Sequence, residues 1–455
     1  MVGTEGGKQL GLPAPEVIEE LYDLRDGHAA TMLYLWGLPI VAMAQLQRAH
    51  RQVLGGGDFD LGAYLSYDDK LGILTPNTVT PYYMAFADLG RTGPLVIDIP
   101  AGPTAGGVSD FWQQTVLDIG LTGPDKGAGG RYLLVGPQQD APAADGYCLG
   151  RCRTNNVWVA LRLLTTDAAE CVRILGAFQL YPFADRENAP RTRIVHPDGT
   201  RWNQAQPSGL SYFEALADIL GREPVAERDQ FFHGIAHSLG LQRGKPFAAA
   251  DRQRRILTAA AVQGEAITQA NAFHKRFASA RYRPGSRWDI VVNIEPDQTR
   301  DGIGQFFERA AWFYEASGMG EGMAHASPGR GQAYLGAYTD SDGRWLDGGR
   351  DYWLVVPQDP PAKQFWSVCV YGTVTRTIPD NTTKIAEISS RTRPITSPDG
   401  SFELHFGPQP PAGTGRSNWI QTIPGRAWFA YLRLYGPTES YFDGSWRLGD
   451  IHPAY

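Results

Sequence analysis

Apolar residues recur at helical spacing near the start of the chain. Ile18, Leu21 and Leu24, then Met32 and Leu35, fall on one stripe, which predicts a helix within residues 14–55. Glu16, Glu19 and Glu20 load its first turns with the charge that a helix N-terminus favours. Pro39 is expected to kink or split this helix, and Gly55-Gly56-Gly57 to end it. From about residue 90 the period shortens. Leu95–Ile99 reads as a strand stopped by Pro100, and Arg131–Val135 and Val157–Leu163 read as further strands. Helical spacing returns over 166–181 (Ala169, Val172, Leu175, Phe178) and across most of 210–280. Leu210, Phe213, Leu216, Ile219 and Leu220 share one face there, and a second run covers Ile256–Phe277. From about 330 onward the chain reads as strands: Tyr352–Val356, Phe365–Tyr371, Phe402–Phe406 and Trp428–Leu434.

The two β regions repeat each other. Leu95–Ile99 and Pro100 match Tyr352–Val356 and Pro357, and Phe111-Trp112 matches Phe365-Trp366. Tyr132–Val135 with Gly136-Pro137 matches Phe402–Phe406 with Gly407-Pro408, and Val157–Leu163 matches Trp428–Leu434. Arg162 follows Pro137 at the same interval at which Arg433 follows Pro408. The expected fold is mainly β with helical additions (α+β). It has a helical N-terminal segment (1–60), a first β-sandwich or jelly-roll domain (61–190), a helical insertion (191–325) and a second, related β-sandwich (326–455).

Composition narrows the class. With 42% hydrophobic and 20% charged residues the chain can bury a core, so wholesale disorder is excluded. The 53 glycines and 32 prolines favour short strands joined by turns over long helices. A net charge of −6 gives no general attraction to nucleic acid or anionic membrane. The longest apolar stretch, Met32–Ala44, is too short for a bilayer. MVGTEGGKQLG has neither the basic nor the apolar region of a secretory signal, so a cytoplasmic protein is expected. Cys148, Cys152, Cys171 and Cys369 are too few for a disulfide scaffold and read as small apolar thiols.

Standard catalytic signatures are absent: there is no G-x-S-x-G, no P-loop and no H-E-x-x-H. Asp340-Ser341-Asp342-Gly343 begins like a calcium loop but lacks its later ligands, and Gly318-Met319-Gly320-Glu321-Gly322 follows no strand, unlike a dinucleotide fingerprint. His233 and His237 share a helix face but need a third ligand that the sequence does not place, so neither metal nor cofactor is expected. Arg162 and Arg433 stand late in apolar strands, where a guanidinium must be solvated, paired or ligand-bound, and Arg376 is a similar case. Asp118 ends the run Thr115-Val116-Leu117, and Asp125-Lys126 lies in a glycine-rich loop. Such carboxylate–guanidinium sets can build an acid/base site or satisfy buried polar groups between β layers.

The C-terminal half carries Pro361-Ala362-Lys363-Gln364-Phe365-Trp366, Thr375-Arg376, Asp399-Gly400-Ser401, Asn418-Trp419-Ile420-Gln421-Thr422 and Leu432-Arg433-Leu434-Tyr435-Gly436-Pro437. On these residues it resembles domain of unknown function 1214. The N-terminal half is similar to the companion domain 1254 at Leu74–Thr80, Gly93-Pro94-Leu95-Val96, Gly123-Pro124-Asp125-Lys126-Gly127 and Val157–Arg162. The resemblance implies two β domains with jelly-roll likeness to glycan-processing and capsid folds, often exported in bacteria, and attaches no reaction. Two departures stand out. The family's Asn-x-Asp-Thr-x-Tyr pattern becomes Asn77-Thr78-Val79-Thr80-Pro81-Tyr82, without the acid, and no export signal is seen.

The expectation is therefore an enzyme without a cofactor, a hydrolase or lyase acting on a small carbohydrate-like or polyhydroxylated substrate. Asp118, Arg376 and Arg433 are the expected catalytic set, with Tyr82, Asn77, Trp366, Asn418, Trp419 and Tyr435 binding the substrate. A non-catalytic small-molecule or glycan binder, and a cyclase or isomerase of specialised metabolism, are the alternatives. The expected partner is the small molecule alone, with neither nucleic acid nor membrane. Homodimerisation through an exposed sheet fits general base rates.

Overall fold

A computed structural model of the chain describes residues 8–9, 11–143, 145–165, 167–412 and 417–454. Most of the N-terminal stretch read above for a signal lies outside them. Two β-sandwiches dominate the fold. The first contains β1 (Leu61–Tyr64), β2 (Tyr82–Asp88), β3 (Leu95–Ile99), β4 (Thr104–Asp110), β5 (Thr115–Gly120), β6 (Gly130–Val135), β7 (Tyr147–Arg151), β8 (Asn156–Leu163) and β9 (Gln179–Pro182). The second contains β10 (Trp288–Ile290), β11 (Gln332–Ala337), β12 (Tyr352–Val356), β13 (Ala362–Gly372), β14 (Glu387–Ser389), β15 (Phe402–Gly407), β16 (Trp419–Gln421), β17 (Trp428–Pro437) and β18 (His452–Pro453). Helices stand before, between and beside the sheets, so the class is α+β.

The sandwiches share one topology. The large sheet of the first runs β1-β2-β8-β4-β5, with Ile194–Val195 as a parallel edge. That of the second runs β10-β11-β17-β13-β14. The small sheets run β9-β3-β6-β7 and β18-β12-β15-β16, and in each the last pair alone is parallel. Register makes the correspondence residue by residue. Arg162 pairs with Tyr82 across β8 and β2, and Arg433 pairs with Tyr334 across β17 and β11. The Ala160–Gly107–Asp118 row crosses β8, β4 and β5 as Tyr431–Cys369–Glu387 crosses β17, β13 and β14. One matched pair in the sequence repeat is displaced. Phe111-Trp112 follows the end of β4, whereas Phe365-Trp366 lies in the first half of β13.

Strand alternation feeds separate cores. Val157, Val159, Leu161 and Leu163 fill the first sandwich, and Trp428, Ala430, Leu432 and Leu434 the second. The intervening residues Trp158, Phe429 and Tyr431 face a third core between the two large sheets. Each large sheet is thus covered on both faces, and every residue of β17 is buried.

Helices fill that third layer: α1 (Ile18–Gln52), α2 (Leu210–Arg222), α3 (Gln230–Ser238), α4 (Asp251–Phe273) and α5 (Phe306–Glu315). α1 packs against the other four, so the N-terminal segment and the insertion form one helical body. Read from sequence, 166–181 is a single helix. In the structure it is helix Ala168–Ala177 followed by β9. Pro39 does not split α1. Carbonyls around the proline instead receive outside donors: Tyr34 O from the Tyr212 hydroxyl (2.6 Å), Trp36 O from Arg309 (2.6 Å) and Pro39 O from Gln113 (2.8 Å). The stretch Pro15–Gln52 is long and apolar enough to cross a membrane, which the shorter run Met32–Ala44 hides, but 78% of its most apolar window is buried in the protein.

A buried ion pair ties the helices to the second sandwich. Lys275 Nζ donates to Glu315 Oε1 at 2.7 Å, both side chains being at most 1% exposed. The Tyr338 hydroxyl donates to Glu315 Oε2 at 2.6 Å, and the Tyr431 hydroxyl does likewise. Removing one member strands the other in an apolar interior. Glu315→Ala is therefore expected to cost about 3–5 kcal/mol in urea unfolding, while Lys275→Met combined with Glu315→Leu should recover only part of that loss, because the Tyr338 and Tyr431 hydroxyls still lose their acceptor. A single variant within 1 kcal/mol of wild type would show that the pair holds nothing together.

Candidate functional site: a cavity between the sandwiches

The two inner sheet faces and α1 enclose a cavity of about 190 Å³. Cavities of roughly 150 Å³ hold a benzene molecule, so this one suits a compact ligand. Its floor exists because the inner face of the first large sheet carries alanine and glycine where its twin carries larger residues, above all a tyrosine. Ala160 occupies the place of Tyr431, Gly107 that of Cys369 and Ala105 that of Ser367. Gly106 between them tolerates no side chain, since a Cβ would come within 2.0 Å of the Ala160 carbonyl oxygen. Trp158, Trp312, Met319 and Ile73 supply apolar walls.

Asp118 stands at one end of this floor, buried at 8% exposure. Burial pushes its pKa up to about 6; the backbone N–H groups of Gly322 and Glu321 and the Thr122 hydroxyl oppose that shift, while the Glu321 charge adds to it. The two backbone donors belong to the glycine-rich segment 318–322, which passes so close that a Cβ on Gly320 would lie 2.9 Å from Asp118 Oδ1, whereas Thr122 follows β5 itself. Arg162 occupies the other end on the same sheet face, two strands across and one two-residue step along, with Cα atoms about 12 Å apart from strand geometry.

Arg162 lies 5.7 Å from the Tyr82 ring centroid and donates toward the Tyr334 hydroxyl. Arg433 reaches the same cavity from the opposite sheet at 4% exposure. Its Nη2 donates to the Thr75 carbonyl at 2.6 Å and its Nη1 to the Tyr371 hydroxyl. The rings of Tyr334, Tyr371 and Tyr431 surround it at 5.3–5.6 Å. The groups facing the two guanidinium ions are chiefly tyrosines. Among the described residues neither forms an ion pair with a carboxylate.

Loop 74–80 of the first sandwich locks onto the second. Asn77 Nδ2 donates to the Tyr435 hydroxyl (2.8 Å), while Asn77 Oδ1 accepts from the Thr80 N–H (2.9 Å) and hydroxyl (2.7 Å). The Tyr371 hydroxyl donates to Pro76 O at 2.7 Å. Thr78 gives its N–H and, at 2.8 Å, its hydroxyl to Glu387. Lys70, 1% exposed, donates to Thr78 O and Thr80 O at 3.0 Å, and burial lowers its pKa to about 8.

Of the residues singled out from sequence, Asp118, Arg433, Tyr82 and Tyr435 line this one cavity. Asn77 stands behind Tyr82 and Tyr435, giving its backbone N–H to the first and its amide to the second. Four others lie elsewhere. Arg376 clasps Tyr314 O (3.1 Å) and Gln206 Oε1 (2.7 Å) and stacks over the Tyr314 ring at 4.0 Å, joining α5 to the second sandwich. Trp366 is packed in the second sandwich core against Phe402. Trp419 donates to Gly407 O at 3.1 Å, and Asn418 clips Ile395 to Glu403. Sequence reasoning left Arg162 outside the expected site and missed Tyr334 and Glu387. The equal spacing from Pro137 to Arg162 and from Pro408 to Arg433 was the available signal. His233 packs edge-on against Trp36, and among the described residues no group of three metal-ligating side chains converges.

The fold is a pair of β-sandwiches of one topology packed around a helical layer, and two family models match its two sandwiches. Residues 61–182 match the model "Protein of unknown function (DUF1254)", and residues 331–439 match "Protein of unknown function (DUF1214)". The chain belongs to the family that carries these two domains in tandem. It is similar to the crystal structure of the VPA0106 protein from Vibrio parahaemolyticus, at 15% identity and a TM-score of 0.57, with 94% of this chain and all of that one covered. A putative uncharacterized protein from Burkholderia cenocepacia aligns at 12% identity and a TM-score of 0.40 over 96% of each chain. No curated protein matches.

Asp118 makes a measurable prediction. The folded protein holds this proton up to about pH 6, whereas the unfolded chain releases it near 3.8. Between those values the folded state binds more protons. The stability linked to Asp118 is thus fully present below the unfolded value and is lost as pH rises through the folded one. Asp118→Asn is expected to stabilise the protein by about 1–3 kcal/mol at pH 7.5 and by little at pH 4. Asp110 and Asp289, also pushed up to about 6, cancel in the comparison with wild type. A difference in urea midpoint that does not change with pH would contradict the assignment.

Proposed function

We propose that the cavity is the active site of a small-molecule enzyme of the hydrolase or lyase kind, in which Asp118 moves the proton and Arg162 and Arg433 hold the oxygen-bearing end of the substrate. One observation carries this reading. A buried carboxyl and a guanidinium that has no carboxylate partner among the described residues face each other along a floor of Ala105, Gly107 and Ala160, which leaves room for a molecule between them. A carboxyl that titrates near neutrality suits general acid–base work, because both protonation states are populated under working conditions. Tyr82 and Tyr435, their hydroxyls held by Asn77, line the guanidinium end, with the Tyr82 ring beside Arg162 and the Tyr435 ring stacked on Phe365. The largely apolar walls favour a substrate with an apolar body and one polar end.

A non-catalytic binder is the second reading. It is favoured by the donors that Gly322, Glu321 and Thr122 already direct at Asp118, which can hold the carboxyl for structure alone. Turnover separates the two. A panel of small hydroxy acids, esters and lactones is incubated with the protein and followed by NMR. For any compound consumed, Asp118→Asn is expected to slow turnover by about 10²–10⁴-fold with binding nearly unchanged. Unaltered turnover would remove Asp118 from the chemistry, and a ligand that binds but is never converted would favour the binder.

The floor gives a second test. Ala160→Tyr installs the side chain that Tyr431 provides in the twin sheet, and it should fill the cavity. Binding and turnover are expected to fall below detection while the far-ultraviolet circular dichroism stays that of wild type. A variant that folds and still binds would place the ligand elsewhere.

A further inference from the structure

The duplication produces two equivalent half-sites, and the protein fills only one of them with its own chain. In the second sandwich the row Arg433, Tyr431, Cys369, Glu387 is covered by loop 74–80. The Thr75 carbonyl sits on Arg433 at 2.6 Å, and the Thr78 N–H and hydroxyl sit on Glu387. The equivalent row in the first sandwich is Arg162, Ala160, Gly107, Asp118. There the segment before β11 supplies the backbone donors on the acid, beside the Thr122 hydroxyl of the first sandwich, as loop 74–80, the segment before β2, does in the twin. Each sandwich thus sends its pre-strand segment to cap the carboxyl of the other. The exchange is complete at Arg433 and incomplete at Arg162, whose partners among the described residues are a tyrosine hydroxyl and a tyrosine ring, with no carbonyl or carboxylate oxygen.

We infer that the ligand of this cavity is a small carboxylic acid with an apolar body, whose carboxylate docks on Arg162 in the place that the Thr75 carbonyl takes on Arg433. The inference rests on the proposed use of the cavity and names the substrate class for it. A carboxylate fits better than a neutral carbonyl for two reasons. Arg433 adds a second positive charge that faces Arg162, so the end of the cavity is doubly cationic. A guanidinium fork matches the two oxygens of a carboxylate, with stronger hydrogen bonds than a neutral acceptor makes. The apolar body follows from the floor and walls, and its size, near that of one six-membered ring, follows from the volume of about 190 Å³.

Matched pairs test this: benzoate against benzyl alcohol, and cyclohexanecarboxylate against cyclohexylmethanol, titrated calorimetrically into the full-length protein. The acids are expected to bind at least tenfold more tightly than the alcohols. Arg162→Gln should erase that preference while the weak alcohol affinity persists, Arg162→Lys should keep part of it, and Asp118→Asn should keep it whole. The alcohols report on the integrity of the cavity in each variant, so a misfolded variant is recognised by their loss, and Arg162→Lys then carries the test. Acids and alcohols binding equally, or a preference that survives in the Arg162→Gln protein, would overturn the carboxylate inference and leave the cavity as the binding site. Failure of all four probes to bind the wild-type protein would overturn the inference together with the cavity reading.

Discussion

Two guanidinium ions must be accommodated where the sandwiches meet, and much of the surrounding structure answers that demand. A lone buried cation is costly. The protein meets the cost at Arg433 with the Thr75 carbonyl, the Tyr371 hydroxyl and three aromatic faces. Delivering that carbonyl requires loop 74–80 to cross from one sandwich to the other. The crossing explains why Asn77 and Thr78 are hydrogen-bonded so fully in a loop without regular structure, and why Lys70 is buried beneath their carbonyl-rich backbone. The loop also restrains how the large sheets approach each other, which sets the height of the cavity over Ala160 and Gly107.

The same demand separates the two halves of the duplication. Repeated units start with equal residues at equal positions, so a polar row on one inner face implies a row on the other. Here the second row is packed with Tyr431 and Cys369 and serves cohesion. The first keeps alanine and glycine and retains an open space beside a carboxyl that burial has pushed toward neutrality. On one shared pattern of strands, one half-site is filled by the chain and the other keeps its space. Holding Asp118 buried lowers stability at neutral pH, because the folded state must release a proton there at a cost the unfolded chain does not bear.

Much of the fold was legible in residues 95–163 and 352–434, because strand runs ended by proline and Gly-Pro turns survive in both copies. The α+β class and the correspondence of Arg162 with Arg433 follow from them. Other elements were hidden for physical reasons. β4 (Thr104–Asp110) carries Ala105, Gly106 and Gly107, so it shows no apolar alternation, yet those residues make the floor. α5 is buried nearly all round, which erases a helical stripe. In the candidate site, Asp118, Tyr82 and Tyr435 were accessible from residue type and strand position. Arg376, Trp366 and Trp419 have the same residue character, and only tertiary packing separates a cavity wall from a core or a clasp. Glu387 could not be matched to Asp118 from spacing, because it lies two residues farther from its arginine than Asp118 does.

One half-site is filled by the chain, and we propose that its twin is open to an acid. The most direct test is a crystal structure of the protein grown with 3-bromobenzoate, with the bromine located by anomalous scattering. One bromine is expected in the space over Ala160 and Gly107, with the carboxylate on Arg162 and loop 74–80 still seated on Arg433. Bromine located only outside this cavity, or an acid that displaces the Thr75 carbonyl from Arg433, would contradict it.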